Sequence, residues 1–303
     1  MALPAQSEAL PAQSEAPPAQ GEALPADGEA LLAWARSENF PVALRLLPAA
    51  LRRDLLALYG FARLADTLGD EAEGDRLAQL AALEAELVRA FQGRATHPLL
   101  RRLEPTLCQR NLRAGPFRRL IEANRVDQRV TRYASFDELR GYCSLSADPV
   151  GELVLGVLGA ASLENVVLSD SICSALQLVE HLQDVLEDQQ RGRIYLPADD
   201  MRRFGVDEAE LRRAPTSASL RRLVSFEAER ARGLLREGEP LLARLSGWGR
   251  VAVAGFAAGG HAALDALARA DHDVSSSQLS PRRRDVLRHT LALLRRGHRR
   301  VAR

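Results

Sequence analysis

The sequence predicts an all-α protein, and three observations predict it. From about residue 31 onward apolar residues recur at helical spacing in one segment after another, and Pro or Gly separates the segments. No run alternates β-branched with polar residues, as a half-buried strand would. The chain of 303 residues is 46% hydrophobic, enough for one sizeable core.

Residues 1–30 stand apart from this pattern. Positions 2–29 are four near-copies of a seven-residue unit: ALPAQSE, ALPAQSE, APPAQGE and ALPADGE. Each unit carries proline and little apolar bulk, so the heptad period cannot build a coiled-coil seam, and a disordered tail is expected. Within the helical domain, 31–303, the first helix expected is 31–36, before Pro41. Helices over 48–69 and 73–92 are parted near Gly74, and 96–112 and 116–129 lie between Gly93 and Gly115 and beyond. A helix over 135–160 is followed by 163–190, which Gly192 closes. Further helices are expected over 207–212, 217–246, 248–270 and 280–297, with Pro215, Gly247 and Pro281 between them.

Charge and cysteine usage narrow the function. Forty-one basic residues, all arginine, against forty acidic ones leave a formal charge of +1, so nothing argues for nucleic acid. Cys108, Cys143 and Cys173 have no paired spacing, which fits small core residues in a reducing compartment. The start of the chain shows no signal-peptide pattern. The most apolar stretch, 149–179, is cut by Glu152, Glu164 and Asp170 too often for a membrane span.

Two acidic devices carry the chemistry. Asp184 and Asp188 stand four apart in Gln-Asp184-Val-Leu-Glu-Asp188, and Asp66 and Asp70 repeat that spacing in Asp66-Thr-Leu-Gly-Asp70. On a helix each pair projects from one face, one turn apart, where like charges repel unless a cation lies between them. Hard oxygen ligands suit Mg²⁺, whose shell is commonly completed by substrate phosphate. Arg63, Arg191 and Arg193 bracket the pairs, and guanidinium matches phosphate oxygens. Binding a diphosphate through several Mg²⁺ ions is the chemistry that calls for this arrangement.

With these motifs the sequence resembles the squalene and phytoene synthases, from about Glu38 to the C-terminal helix. Beside the aspartate pairs, Gln-Gln-Arg-Gly-Arg193-Ile-Tyr-Leu-Pro looks like that family's basic closing signature. The stretches Glu38-Asn-Phe-Pro-Val-Ala, Tyr142-Cys-Ser-Leu-Ser-Ala-Asp-Pro-Val-Gly151 and Glu180-His181-Leu-Gln183-Asp184 resemble the hydroxysqualene synthase branch of bacterial hopanoid biosynthesis. The resemblance implies a helical bundle of the isoprenoid-synthase type around a central cavity. It implies a cluster of Mg²⁺ ions on Asp66, Asp70, Asp184 and Asp188, with Glu71 and Glu187 as weaker ligands. Phe40, Tyr59, Arg63, Gln183 and Arg193 would bind an isoprenoid diphosphate, and Tyr142, Glu180 and His181 would act on it. Phe61 would help line the pocket, and Gly151, Gly156 and Gly159 would leave room for isoprenoid chains.

The implied substrate is presqualene diphosphate, made from farnesyl diphosphate by a sister synthase, captured by water without NADPH. Departures from the family pattern are Ser37-Glu-Asn39-Phe40 where Ser-x-Ser-Phe is common, Glu180 where Asn is frequent, and Thr67 between the first aspartates. Squalene, dehydrosqualene or phytoene synthesis directly from two prenyl diphosphates stays open, as does a non-catalytic helical assembly factor. A cytoplasmic location is expected. Peripheral membrane contact through the basic C-terminal Arg-Arg-Gly-His-Arg-Arg-Val-Ala-Arg303 is a further expectation.

Overall fold

The computed structural model describes residues 47–276 and 279–301, with side chains up to residue 296. The seven-residue repeats, the helix expected over 31–36 and Phe40 lie outside the described residues.

The described chain is helical: α1 (Ala49–Asp70), α2 (Arg76–Phe91), α3 (Pro98–Gln109), α4 (Ala114–Asp127), α5 (Phe136–Ser146), α6 (Asp148–Val157), α7 (Leu163–Gln183), α8 (Val185–Gln190), α9 (Ala198–Phe204), α10 (Ala218–Gly238), α11 (Leu241–Arg244), α12 (Gly247–Arg269) and α13 (Arg283–Val301). Among the described residues there is no strand, only a single parallel bridge between Arg132 and Ile194. The Ile194 N–H donates to the Thr131 carbonyl at 2.9 Å and the Ala198 N–H to that of Tyr133 at 2.9 Å, so residues 131–134 run beside 194–199.

Three expected helices are interrupted, each for a local reason. The helix expected over 135–160 breaks at Ala147 (φ −111°, ψ −49°), because Pro149 lacks the N–H that would continue it. The one over 163–190 breaks at Asp184 (φ −105°, ψ 15°). Asp184 N–H still reaches the Glu180 carbonyl (3.0 Å) and Asp188 N–H the Asp184 carbonyl (2.8 Å), so the two aspartates keep their one-turn spacing across the kink. The one over 217–246 ends at Gly238, ahead of Pro240. Of the helix expected over 207–212 only a 3₁₀ turn, Glu210–Arg212, forms.

Two apolar clusters form the core. One gathers α1 to α4 around Leu64, Leu68, Leu80, Leu83, Leu100 and Leu103, all fully buried; the other gathers α5, α7, α10 and α12. Helix α12 is apolar and long enough to cross a membrane, yet Ala252, Ala254, Ala257, Ala258, Ala262 and Leu264 are fully buried within the protein. Phe61 is 1% exposed and meets Phe117 edge to face at 5.0 Å, so it packs the first core rather than lining a pocket. Of the cysteines only Cys143 is buried; Cys108 is exposed and Cys173 half-buried.

Of the three glycines expected to leave room, Gly151 and Gly156 do the reverse. A Cβ on Gly151 would stand 2.2 Å from Ser169 Oγ and 2.6 Å from Cys173 Sγ, and one on Gly156 would stand 2.6 Å from Leu112 Cδ2. Gly151 is closed by α7 and Gly156 by the segment between α3 and α4. Gly159 turns the chain at φ +67° after α6. Gly238 meets backbone as well as side chain, since an added Cβ would lie 2.4 Å from Ile172 Cγ1 and 2.6 Å from the Leu168 carbonyl oxygen of α7. Backbone cannot step aside, so Gly238→Ala lowers stability by about 1–3 kcal/mol, measurable in urea unfolding.

Candidate active site

Helix α1 presents Tyr59, Arg63, Asp66 and Asp70 along one stripe, since steps of three and four residues return to the same face. The opposing wall is the end of α7, with Glu180 and His181, followed through the kink by Asp184 and, on α8, Asp188. A third wall, absent from the expectation, is the last turn of α4 with Asn124 and Asp127.

Electrostatics bring the two aspartate motifs together. Burial pushes the Asp66 carboxyl up to about 7, aided by the negative charges of Asp70 and Glu180 and opposed by a hydrogen bond from Asn124 Nδ2 (3.2 Å) and by Arg63. Burial likewise raises Asp184 to about 6, together with the charges of Glu180, Asp188 and Glu187. Arg193 Nη2 lies 2.7 Å from Asp70 Oδ1, joining the basic end of the second motif to the first. Arg63 Nη2 donates to Glu71 Oε1 at 2.9 Å, so Glu71 is its ion-pair partner in this structure. Glu187 pairs with Arg191 at 2.8 Å.

An aromatic wall stands beside these charges. The Tyr142 hydroxyl donates to Asp127 Oδ2 at 2.6 Å, and the Tyr195 hydroxyl to Asp127 Oδ1 at 3.3 Å. Burial, with the Asp127 carboxylate alongside, holds the Tyr142 phenol well above its usual value, so it stays protonated. His181 stacks on Tyr195 with ring centroids 3.7 Å apart, and its Nδ1 is 3.8 Å from Asp188 Oδ2. Tyr133 completes the group, 5.4 Å from Tyr142 and 5.8 Å from Tyr195, with its hydroxyl buried and without a partner.

Two expected residues are engaged differently. The Gln183 side-chain amide donates to the Leu279 carbonyl at 2.8 Å, tying the end of α7 to the segment before α13 rather than joining the carboxylates. Glu180 is exposed; its part in the group is its charge, felt by Asp66 and Asp184.

The donor set fits Mg²⁺. Among the described residues no three His, Cys, Asp or Glu side chains converge into a closed metal cage. Two carboxylate pairs on separate helix ends offer oxygen only, the donor Mg²⁺ prefers when water and phosphate supply the rest of its shell. Asp66 is buried among like charges, a carboxylate that a bound cation would offset.

The pattern of the squalene/phytoene synthase family matches residues 34–288. A hydroxysqualene synthase from Rhodopseudomonas palustris is 36% identical over 214 residues, covering 69% of this chain and 72% of its own. A phytoene synthase from Arthrospira platensis is 34% identical over 224 residues, covering 69% and 72%. The crystal structure of the squalene synthase HpnC from Alicyclobacillus acidocaldarius superposes with TM-score 0.75 at 41% identity, covering 82% of this chain and 95% of that one. A dehydrosqualene synthase solved with a ligand superposes with TM-score 0.82 at 25% identity, covering 90% and 97%. The helical fold, the pattern spanning most of the sequence and relatives at this identity agree: the chain belongs to the squalene/phytoene synthase family.

Proposed function

We propose that the protein is a Mg²⁺-dependent hydroxysqualene synthase that acts on presqualene diphosphate. The observation that carries the reading is one mouth where two acidic helix ends meet an aromatic wall of Tyr133, Tyr142, His181 and Tyr195. Mg²⁺ held by Asp66, Asp70, Asp184 and Asp188 would supply Lewis-acid stabilisation of the departing diphosphate. Arg63 and Arg193, paired with Glu71 and Asp70 in this structure, are placed to turn to its oxygens. Tyr59, on the same stripe of α1, would border the bound diphosphate.

The carbon–oxygen bond breaks and diphosphate leaves with the electron pair. Positive charge on the rearranging carbon skeleton then faces the tyrosine rings, whose π-faces stabilise cations and whose apolar surroundings exclude stray water. Water adds its oxygen to the rearranged cation and loses one proton. His181, buried next to Asp188, is the group placed to take that proton, and Glu180 to orient the water. The sequence of steps is redox-neutral, so no nicotinamide is required. The identity to hydroxysqualene synthases supports this product. The phytoene synthase and squalene synthase relatives favour the second reading, direct condensation of two prenyl diphosphates.

The two readings separate in one experiment. Purified protein with Mg²⁺ and without NADPH is expected to convert presqualene diphosphate to hydroxysqualene, identified by mass spectrometry, and to leave farnesyl diphosphate unchanged. A C30 or larger hydrocarbon from prenyl diphosphates alone would establish the second reading instead. The apolar substrate and product would put the work at a membrane surface, on the cytoplasmic side, where a sister presqualene diphosphate synthase would supply the substrate.

A further inference from the structure

Among the described residues, the two most exposed large apolar side chains lie at the far end of α7 from the carboxylates. Leu163 is 87% exposed and Val167 64%, one turn apart at the start of α7. Asp184 closes the other end of that 21-residue helix, about 30 Å away at 1.5 Å per residue. Three contacts gather other elements at the Leu163 end. Arg244, ending α11, pairs with Glu164 and donates to Asn165 Oδ1 at 2.5 Å. Gly249 approaches Leu158 so closely that a Cβ would stand 3.2 Å from its side chain. Arg250 Nη2 donates to the Leu294 carbonyl at 2.6 Å, fixing the last turns of α13 to the first turn of α12.

The same end therefore carries Trp248, 47% exposed at the start of α12, and the exposed Arg295 and Arg296 of α13. After Asp285 the sequence holds no acidic residue. Arg288 is taken up by Asp265 at 2.8 Å, whereas Arg295 is exposed and Arg296 is exposed with Glu239 at 3.7 Å. Exposed Leu, Val and Trp grouped beside the exposed Arg295 and Arg296 match an anionic lipid surface, where indole and leucine enter the headgroup boundary and arginine meets phosphate.

We propose that this end, through Leu163, Val167 and Trp248 flanked by Arg295 and Arg296, docks the protein on an anionic bilayer, leaving the carboxylate mouth on the water side. The inference rests on the reading that the enzyme works at a membrane surface, and it names the part of the molecule that makes the contact. The diphosphate, the polar end of the substrate, is then held farthest from the lipid.

The test is sedimentation of the full chain with phosphatidylcholine vesicles, with and without phosphatidylglycerol. Wild type is expected to bind the anionic vesicles and to release as salt rises. Leu163→Asp combined with Trp248→Asp is expected to cut binding by ~10-fold or more, as charge replaces the lipid-facing anchors. Helicity and turnover of detergent-dispersed substrate stay unchanged, because both side chains lie outside the core. In a Trp34→Phe background, Trp248 fluorescence is expected to shift to the blue on binding. Absence of wild-type binding to either vesicle overturns the membrane reading itself. Undiminished binding by the double variant, or an unmoved Trp248 spectrum, overturns the docking end alone. A wild-type dimer in sedimentation velocity that the double variant abolishes assigns the patch to a second copy of the chain and overturns it too.

Discussion

Asp66→Asn is expected to lower diphosphate release from presqualene diphosphate by ~10³-fold or more, because on the proposed reading it would remove a ligand of the cation that offsets the charge growing on the leaving group. The same substitution leaves the protein folded. Asp66 is a buried carboxylate among like charges, and without a cation the fold is strained by its ionisation rather than built on it. The neutral amide of the same shape relieves that, so in EDTA the variant melts at or above the wild-type temperature. Asp184→Ala repeats the loss of activity. Release measured with the variants, beside thermal unfolding with and without Mg²⁺, checks both halves. Turnover retained by either variant would sink the two-motif site, and a collapsed fold would make Asp66 a structural acid.

Gly69→Ala is expected to damage fold and site together. In an exposed helix Ala would stabilise by up to ~1 kcal/mol over Gly. At Gly69 the new Cβ would lie 2.1 Å from Asn124 Oδ1, 2.8 Å from its Cγ and 3.0 Å from its Cβ. Asn124 is 6% exposed and bonded through Nδ2 to both Asp66 and the Leu120 carbonyl, so it has no free rotamer to take. The overlap costs about 1–3 kcal/mol and wins over the propensity. Displacing Asn124 also frees Asp66, so kcat falls alongside stability. Gly259→Ala is the control, since nothing lies within 4 Å of a Cβ there, and it should be neutral or slightly stabilising. Equal behaviour of the two variants in urea unfolding would refute the contact.

Periodicity makes α1 to α4 and α12 legible in the sequence, because each buries one continuous stripe and ends at a glycine or proline. The aspartate pairs are legible for the same reason: a four-residue spacing on an apolar helix is visible without any partner. Asp127 is not, since an acid in the last turn of a helix looks like any solvated surface carboxylate until Tyr142 and Tyr195, 15 and 68 residues on, fold over it. Tyr133 and Tyr195 lie on irregular segments with no period to betray which way they face. Helix α9 was equally hidden despite Pro197 before it and left-handed Gly205 (φ +66°) after it, because seven residues are too few to show a stripe. Gly151 and Gly156 show the ambiguity of a missing side chain: the sequence cannot tell space left for a ligand from space filled by Ser169 or Leu112.

The pairing of Arg193 with Asp70 and of Arg63 with Glu71 sets how the mouth receives its ligand. Each of these two arginines already has an anion, while Asp66 and Asp184 stand among like charges, so the resting mouth keeps a net negative field. On the proposed reading, diphosphate arriving with metal would take the arginines while the metal would take Asp70 together with Asp66, Asp184 and Asp188, so more charge pairs would form than break. Recognition would then favour a ligand that brings both signs at once, and a bare anion would meet the repulsion of the Asp66 and Asp184 carboxylates.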